Sequence, residues 1–341
     1  MLQAVITAPA TFDIIDVPVP EVGNEQVLIK VARIGICGSD MQIYHGKHKF
    51  MTFPVVLGHE GSGTIVKIGT AVLGFAVGDR VTVQPQYYCG ECFPCREGKY
   101  NVCEHLSVIG VHETGMGEEY FLTDASKVLK LPDRVSFDQG ALIEPTAVAT
   151  GAIRKSGGVN SANIVVLGAG PIGNLVAQVA KASGAKSVMI TDINPKRLDV
   201  AGRCRVDYCV NSTEWKLNDA IVEYFGSDGA DIIFDCAGVK ETVTDAIQAA
   251  RRGSRIVVVA NFKTIVDIEL VLLQRKEITL YGIMMYVRED YEEAIRLLAE
   301  RRINTSELIT SHFDIRQIRE AYKYIDENIN DVIKVILTVS D

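Results

Sequence analysis

The stretch NIVVLGAGPIG, residues 163–173, constrains the fold of this chain more than any other. A β-branched run ends in Gly168-x-Gly170-x-x-Gly173, a pattern of helical period follows to Ser183, and a second strand-like run, SVMITD, ends at Asp192. Strand, tight turn, helix and strand in that order make a βαβ unit, whose two strands lie parallel in one sheet. The apolar runs ADIIFDCAG, SRIVVVA and EITLYGI continue the alternation downstream. The expectation is an α/β chain with a doubly wound parallel sheet over 151–286.

Gly168, Gly170 and Gly173 permit a tight turn, close approach of backbone to a pyrophosphate, and helix-on-strand packing. Pro171 and Ile172 belong to the same turn, where a helix N-terminus offers orphan N–H groups and positive dipole to phosphate. Asp192, nineteen residues after Gly173, can accept hydrogen bonds from both adenosine ribose hydroxyls and repels a 2′-phosphate. The pattern therefore predicts NAD rather than NADP. Lys196 and Arg197 stand where a 2′-phosphate would be met, and Arg197 counts with the cofactor-binding residues.

The first 150 residues have a different texture. AVIT, QVLIKVARI, GSGTIVKIG, DRVTVQP and GEEYFLTD alternate β-branched residues with Gly, Pro and Asp breaks, which predicts a β-rich domain over 1–150. Residues 287–341 carry an amphipathic helix, EDYEEAIRLLAERRI, and a last apolar strand, VIKVILTV, expected to complete that first domain. With 341 residues and 48% hydrophobic content the chain can build two cores. A net charge of −8 excludes a broad nucleic-acid surface. MLQAVITAPATFD has no basic leader, and the most apolar later window, 164–180, is broken by Pro171, Asn174 and Gln178, so neither a signal peptide nor a membrane span is expected. The expected compartment is the reducing cytoplasm.

That compartment bears on CGECFPCREGKYNVC, residues 89–103, which holds four of the eight cysteines. Cys89, Cys92, Cys95 and Cys103 can close a tetrahedral four-sulfur shell from one loop, and a shell with no open position is structural rather than catalytic. Two disulfides, favoured only in an oxidising compartment, or thiols with no metal are the alternatives. A basic zinc ribbon for nucleic acid is a poorer match, because Arg96 and Lys99 face Glu91, Glu97 and Glu104 in the same loop.

Other metal-ligating side chains are scattered. GICGSD supplies Cys37, VLGHEG supplies His59 and Glu60, and LIEPTA supplies Glu144. A catalytic zinc takes three protein ligands of these types and keeps one position open. Each residue alone has an ordinary packing role to fall back on.

Together, GICGSD, GHEGSG, the four-cysteine loop, the Glu-Pro pair and GAGPIG resemble the zinc-dependent medium-chain dehydrogenase/reductase family, across the whole chain. The resemblance implies a GroES-like catalytic domain at both chain ends around an inserted Rossmann domain, with one catalytic zinc, one structural zinc and NAD per chain. Glu144 and the stretch SVIGVHETGMGEEYFL are closest to polyol and sugar-acid dehydrogenases. Cys37 and His59 match the family's zinc ligands, Glu60 and Glu144 match carboxylates that bind the metal or hold its water, and Ser39 matches the hydroxyl that takes the substrate proton.

Gln42 departs from that pattern, standing where many relatives have the outer histidine of a proton relay. An amide does not ionise, so the proton must leave through water, Glu144 or His45. The implied substrate is a small hydroxylated molecule whose secondary hydroxyl is oxidised to a ketone, and the implied assembly is a homodimer or homotetramer. An L-threonine or simple alcohol dehydrogenase, and a zinc-structured protein without catalysis, are the alternatives. His48, His105, His112, His312 and Cys236 are expected to be surface or packing residues.

Overall fold

Six parallel strands form one sheet in the spatial order Tyr208–Asn211, Ser187–Asp192, Asn163–Leu167, Ile232–Asp235, Arg255–Val258, Thr279–Gly282. The chain starts at Asn163–Leu167, winds out to one edge, then restarts beside its first strand and winds to the other. That reversal is the switch point of a doubly wound sheet, where ligands bind at the carboxyl ends of the strands. Asn163–Leu167 is buried on both faces, as its unbroken apolar run requires. The helix Pro171–Ala182 follows it directly.

The structure, a computed structural model, describes residues 1–48 and 51–340. The chain divides into a unit of Met1–Glu144, Val287–Ile295 and Ile309–Asp341, and a second of Pro145–Tyr286 and Arg296–Leu308. Arg296–Leu308 packs with the second unit through side chains that the sequence pattern leaves unexplained. The Gln178 amide donates to Asn304 O at 3.2 Å and accepts from Asn304 N at 2.7 Å, and it also donates to Asn174 Oδ1 at 2.9 Å. Asn174, fully buried, thus supports a polar tether inside an otherwise apolar helix face. Burying such amides is tolerable because they bond one another.

In the first unit, one sheet runs Val128–Lys130, Arg80–Val83, Glu60–Ile68, Gln26–Gly35, Lys334–Thr338, Ile309–Asp314, with Tyr120–Asp124 also paired to Gln26–Gly35. Its pairs are antiparallel except the last, so the chain's final strand is stitched between the first-domain core and Ile309–Asp314. Gly35 sits opposite Glu60 on one side and Ile336 on the other. This register brings Lys334 to Cys37 and Glu60, although 274 residues separate it from Glu60 in sequence. Among the described residues no helix is long and apolar enough to cross a membrane.

Candidate functional site

Cys37 precedes the short helix Gly38–Tyr44, and its backbone N–H donates to Asp40 Oδ2 at 2.9 Å. Asp40 turns its other oxygen to His59, with Oδ1 3.4 Å from Nδ1. The two atoms form no hydrogen bond at that distance, but the carboxylate's charge favours a proton on Nδ1, which leaves Nε2 free for a metal. Cys37, His59 and Glu60 each offer a ligand atom, all within 4.8 Å of one another. Glu144, 6% exposed in the first turn of the helix Ile143–Lys155, adds negative charge close to His59.

The electrostatics call for a cation at this point. Burial alone would lower the His59 pKa, yet Asp40, Cys37 and Glu144 lift it well above the usual imidazole range. A dication would satisfy the same anions without protonating the imidazole, so the donor set fits zinc.

Two residues of this cluster escape the sequence reading. Asp40, in the first turn of the helix Gly38–Tyr44, is given no role there. Lys334 Nζ lies 2.8 and 2.7 Å from the two oxygens of Glu60 and 3.1 Å from Ile36 O. Burial lowers the lysine pKa, but Glu60 and Cys37 more than offset it, and the net shift is upward. Glu60 thus lies within ligand distance while its charge is already balanced. Gly35 makes room for it: a Cβ there would come 2.2 Å from Glu60 Oε2.

Ser39 and Gln42 lie on the same helix, both half-buried. His45 Nε2 is 3.0 Å from Asp326 at the surface. His312 pairs with Asp138 at 3.1 Å, and His112 Nδ1 accepts the Val108 N–H.

The four-cysteine loop converges as its spacing demands. Sulfur pairs Cys89–Cys103, Cys92–Cys103 and Cys89–Cys95 lie 3.5, 3.8 and 4.0 Å apart, and none is a disulfide. A tetrahedron with Zn–S bonds near 2.3 Å has edges of about 3.8 Å. Backbone N–H groups of Cys92 and His105 donate to Cys89 and Cys103 sulfurs at 3.3 Å. Such bonds, above all from Glu104, bring the Cys92 thiol down to about 6, while burial pushes Cys95 up to about 12. Four crowded sulfurs cannot all ionise without a cation between them, and zinc fits the shell.

In the second unit, Gly168 has φ +95°, and a Cβ on Gly173 would lie 1.8 Å from Gly168 O. Only glycine at both positions lets the turn close. A Cβ on Gly170 would meet nothing within 4 Å, which leaves open space over the helix that Pro171 and Ile172 begin. Asp192, at the end of Ser187–Asp192, accepts the Ala169 N–H at 2.7 Å and the Asn194 N–H at 2.8 Å. Its carboxylate is thereby fixed at the glycine turn with lone pairs to spare, and the cradle fits a dinucleotide. Arg197 is half-buried in the first turn of the helix Pro195–Arg203. Burial raises the Cys236 thiol pKa well above its ordinary value, and an un-ionised thiol is a poor nucleophile.

Known proteins share this arrangement. The model of the alcohol dehydrogenase GroES-like domain matches residues 23–133, and that of the zinc-binding dehydrogenase matches 171–300. The chain is 36% identical to 2-dehydro-3-deoxy-L-galactonate 5-dehydrogenase of Pseudoalteromonas atlantica, over 91% of this chain and 90% of the relative. It is 31% identical to sorbitol dehydrogenase of Bacillus subtilis, over 99% and 97% of the two chains. The crystal structure of an oxidoreductase of unknown specificity from Escherichia coli superposes with a TM-score of 0.95 at 30% identity, covering 100% of this chain and 99% of that one. The chain belongs to the zinc-dependent medium-chain dehydrogenase/reductase family. It is an oxidoreductase built from a GroES-like unit and a Rossmann unit.

Proposed function

We propose that the protein oxidises a secondary hydroxyl of a polyol or sugar acid to a ketone with NAD, using one catalytic and one structural zinc per chain. The Cys37–His59–Glu60 cluster, backed by Asp40 and Lys334, carries this reading. Zinc bound there supplies Lewis acidity that lowers a hydroxyl pKa far below the ~16 of a free alcohol, and NAD takes up the hydride. Cys37 and His59 are the fixed ligands, and Asp40 orients the imidazole. Glu60 and Glu144 supply the third ligand and the partner of the open position. Ser39 receives the hydroxyl proton, which leaves through water, Glu144 or His45 because Gln42 does not ionise.

A carboxylate in the shell makes it harder than one of two thiolates and an imidazole, which suits a hydroxyl-rich substrate. Sugar-acid and sorbitol dehydrogenases among the relatives support the same class. NAD is favoured over NADP by the charge of Asp192 at the turn. Thiols kept free for a metal support a cytoplasmic location.

A homo-oligomer, dimer or tetramer, is favoured by the Rossmann sheet. Among the described residues its edge strand Thr279–Gly282 has one side unpaired, and Ile265, Leu270 and Val271, which precede it in sequence, are 99, 68 and 50% exposed. Open edges flanked by apolar side chains are normally covered.

The deciding experiment is NAD reduction with polyols, sugar acids, L-threonine and simple alcohols, alongside zinc analysis. Turnover confined to the first two, with two zincs per chain, is the expected outcome. Preference for threonine or an aliphatic alcohol overturns the substrate class. One zinc and no turnover overturns the enzyme reading.

A further inference from the structure

A cavity of about 640 Å³ in the first unit is lined by none of the metal-site or cofactor-site residues named above, although Glu113, Glu118 and Phe121 belong to the stretch SVIGVHETGMGEEYFL. Ile109 and Phe121, 1 and 3% exposed, form part of its apolar wall, and Glu118, 4% exposed, lines it. Gln3 Nε2 donates to Glu118 Oε2 at 2.6 Å, where the two residues form an isolated bridge. Among the described residues no donor reaches the other oxygen. Glu113 lines the same cavity, and among the described residues no lysine or arginine side chain does.

We infer that this cavity is a second binding site, specific for a small organic cation that carries a primary ammonium on an apolar body. The ammonium would meet the open Glu118 oxygen, and the body would cover Ile109 and Phe121. Anions are disfavoured by two carboxylates. A metal ion is a poorer occupant, since among the described residues no three ligand atoms converge there. The inference does not depend on the dehydrogenase reading.

Binding should depend on pH. Burial pushes the Glu118 carboxyl up to about 7, against the opposing hydrogen bond from Gln3. The other charged groups around it are already engaged. The Met1 ammonium donates to Val17 O, Glu113 accepts from Ser107, and His112 accepts the Val108 N–H. Glu119 accepts the Leu2 N–H and lies 3.8 Å from Arg316, and Lys127 lies over the Tyr87 ring. A bound cation favours the carboxylate, so below pH 7 binding must release a proton. From pH 8.5 to pH 6 the ionised fraction falls about tenfold, and affinity falls with it.

The test is calorimetric titration of the full chain with benzylamine, and with benzoate as the anionic control. Wild type is expected to bind the amine about tenfold more tightly at pH 8.5 than at pH 6 and to ignore benzoate. Glu118→Gln should bind at least tenfold more weakly at pH 8.5, with dehydrogenase activity unchanged. Cys37→Ser, which breaks the metal cluster, should bind as wild type does. No binding, pH-independent binding, equal binding by Glu118→Gln, or loss in Cys37→Ser each overturns the inference; wild-type pH dependence decides alone if Glu118→Gln does not fold.

Discussion

Lys334 uses all three ammonium donors inside the protein: two on the carboxylate of Glu60, at 2.7 and 2.8 Å, and one on Ile36 O at 3.1 Å. Glu60 is 1% and Lys334 3% exposed. Removing one partner of such a pair strands a buried charge, at a cost of about 3–5 kcal/mol. Lys334→Met should lose about that much stability in urea unfolding, and adding Glu60→Gln should restore a large part of it. A loss below about 1 kcal/mol in the single variant would show that the pair is not charged.

Cys92→Ser should remove the metal of the closed loop and leave the Cys37–His59 cluster loaded. Zinc content is expected to fall from two to one per chain. Because binding there is part of folding energy, stability should drop by more than about 3 kcal/mol, or about 6–12 °C in Tm for a unit of this size. Unchanged zinc and Tm would mean that the four thiols hold no metal.

The parts legible in sequence were those with local causes. The glycine turn, its flanking strands and the cysteine loop each lie within thirty consecutive residues, and periodicity or spacing exposes them. Cys37, His59 and Glu144 became meaningful only through resemblance, since strand register and chain crossing bring them together. Lys334 was invisible: in VIKVILTV it looks like the solvent-facing position of a strand, and its partner is 274 residues away. Glu118 in GEEY looks like one of an exposed charged pair. Asn174 interrupts an apolar helix pattern, and its role depends on the distant loop holding Asn304, which folds back onto that helix through Gln178.

Asp192→Ala removes a ribose acceptor and a repulsive charge. NAD affinity should fall about 10- to 100-fold, as for loss of charge-assisted hydrogen bonds, and discrimination against NADP should shrink. Gly173→Ala forces a Cβ onto Gly168 O, so dinucleotide binding should be lost while zinc content stays at wild-type level. Fluorescence titration with both dinucleotides reads both variants. A wild type that prefers NADP would reverse the role given to Asp192.

Ser39→Ala should lower kcat about 100-fold or more at neutral pH with NAD affinity nearly unchanged, because only deprotonation is affected. Glu144→Gln should lower both activity and zinc occupancy by taking negative charge from the shell. Gln42→Ala should cost little, and Gln42→His should speed proton release. A loss in Gln42→Ala as large as that in Ser39→Ala would put the amide itself on the proton path or against the substrate.

Glu118 ties stability to pH with a definite sign. Its carboxyl titrates at about 7 in the folded chain against an ordinary value of 4.5, so between those values the folded state holds the extra proton. Stability from this site is therefore full below about pH 4.5, falls as pH rises, and reaches its full penalty above pH 7, about 3 kcal/mol. Glu118→Gln keeps the shape and an acceptor for Gln3 but cannot ionise. The variant should match wild type at pH 4.5 and exceed it by about 3 kcal/mol at pH 8 in urea unfolding. Benzylamine at 100 times its wild-type dissociation constant should return about 2.7 kcal/mol to the wild type at pH 8 and no more than about 1.4 kcal/mol to the variant. A difference between the two chains that stays flat across this window would mean that Glu118 is as well solvated as a surface carboxylate and that the cavity exerts no pull on a cation.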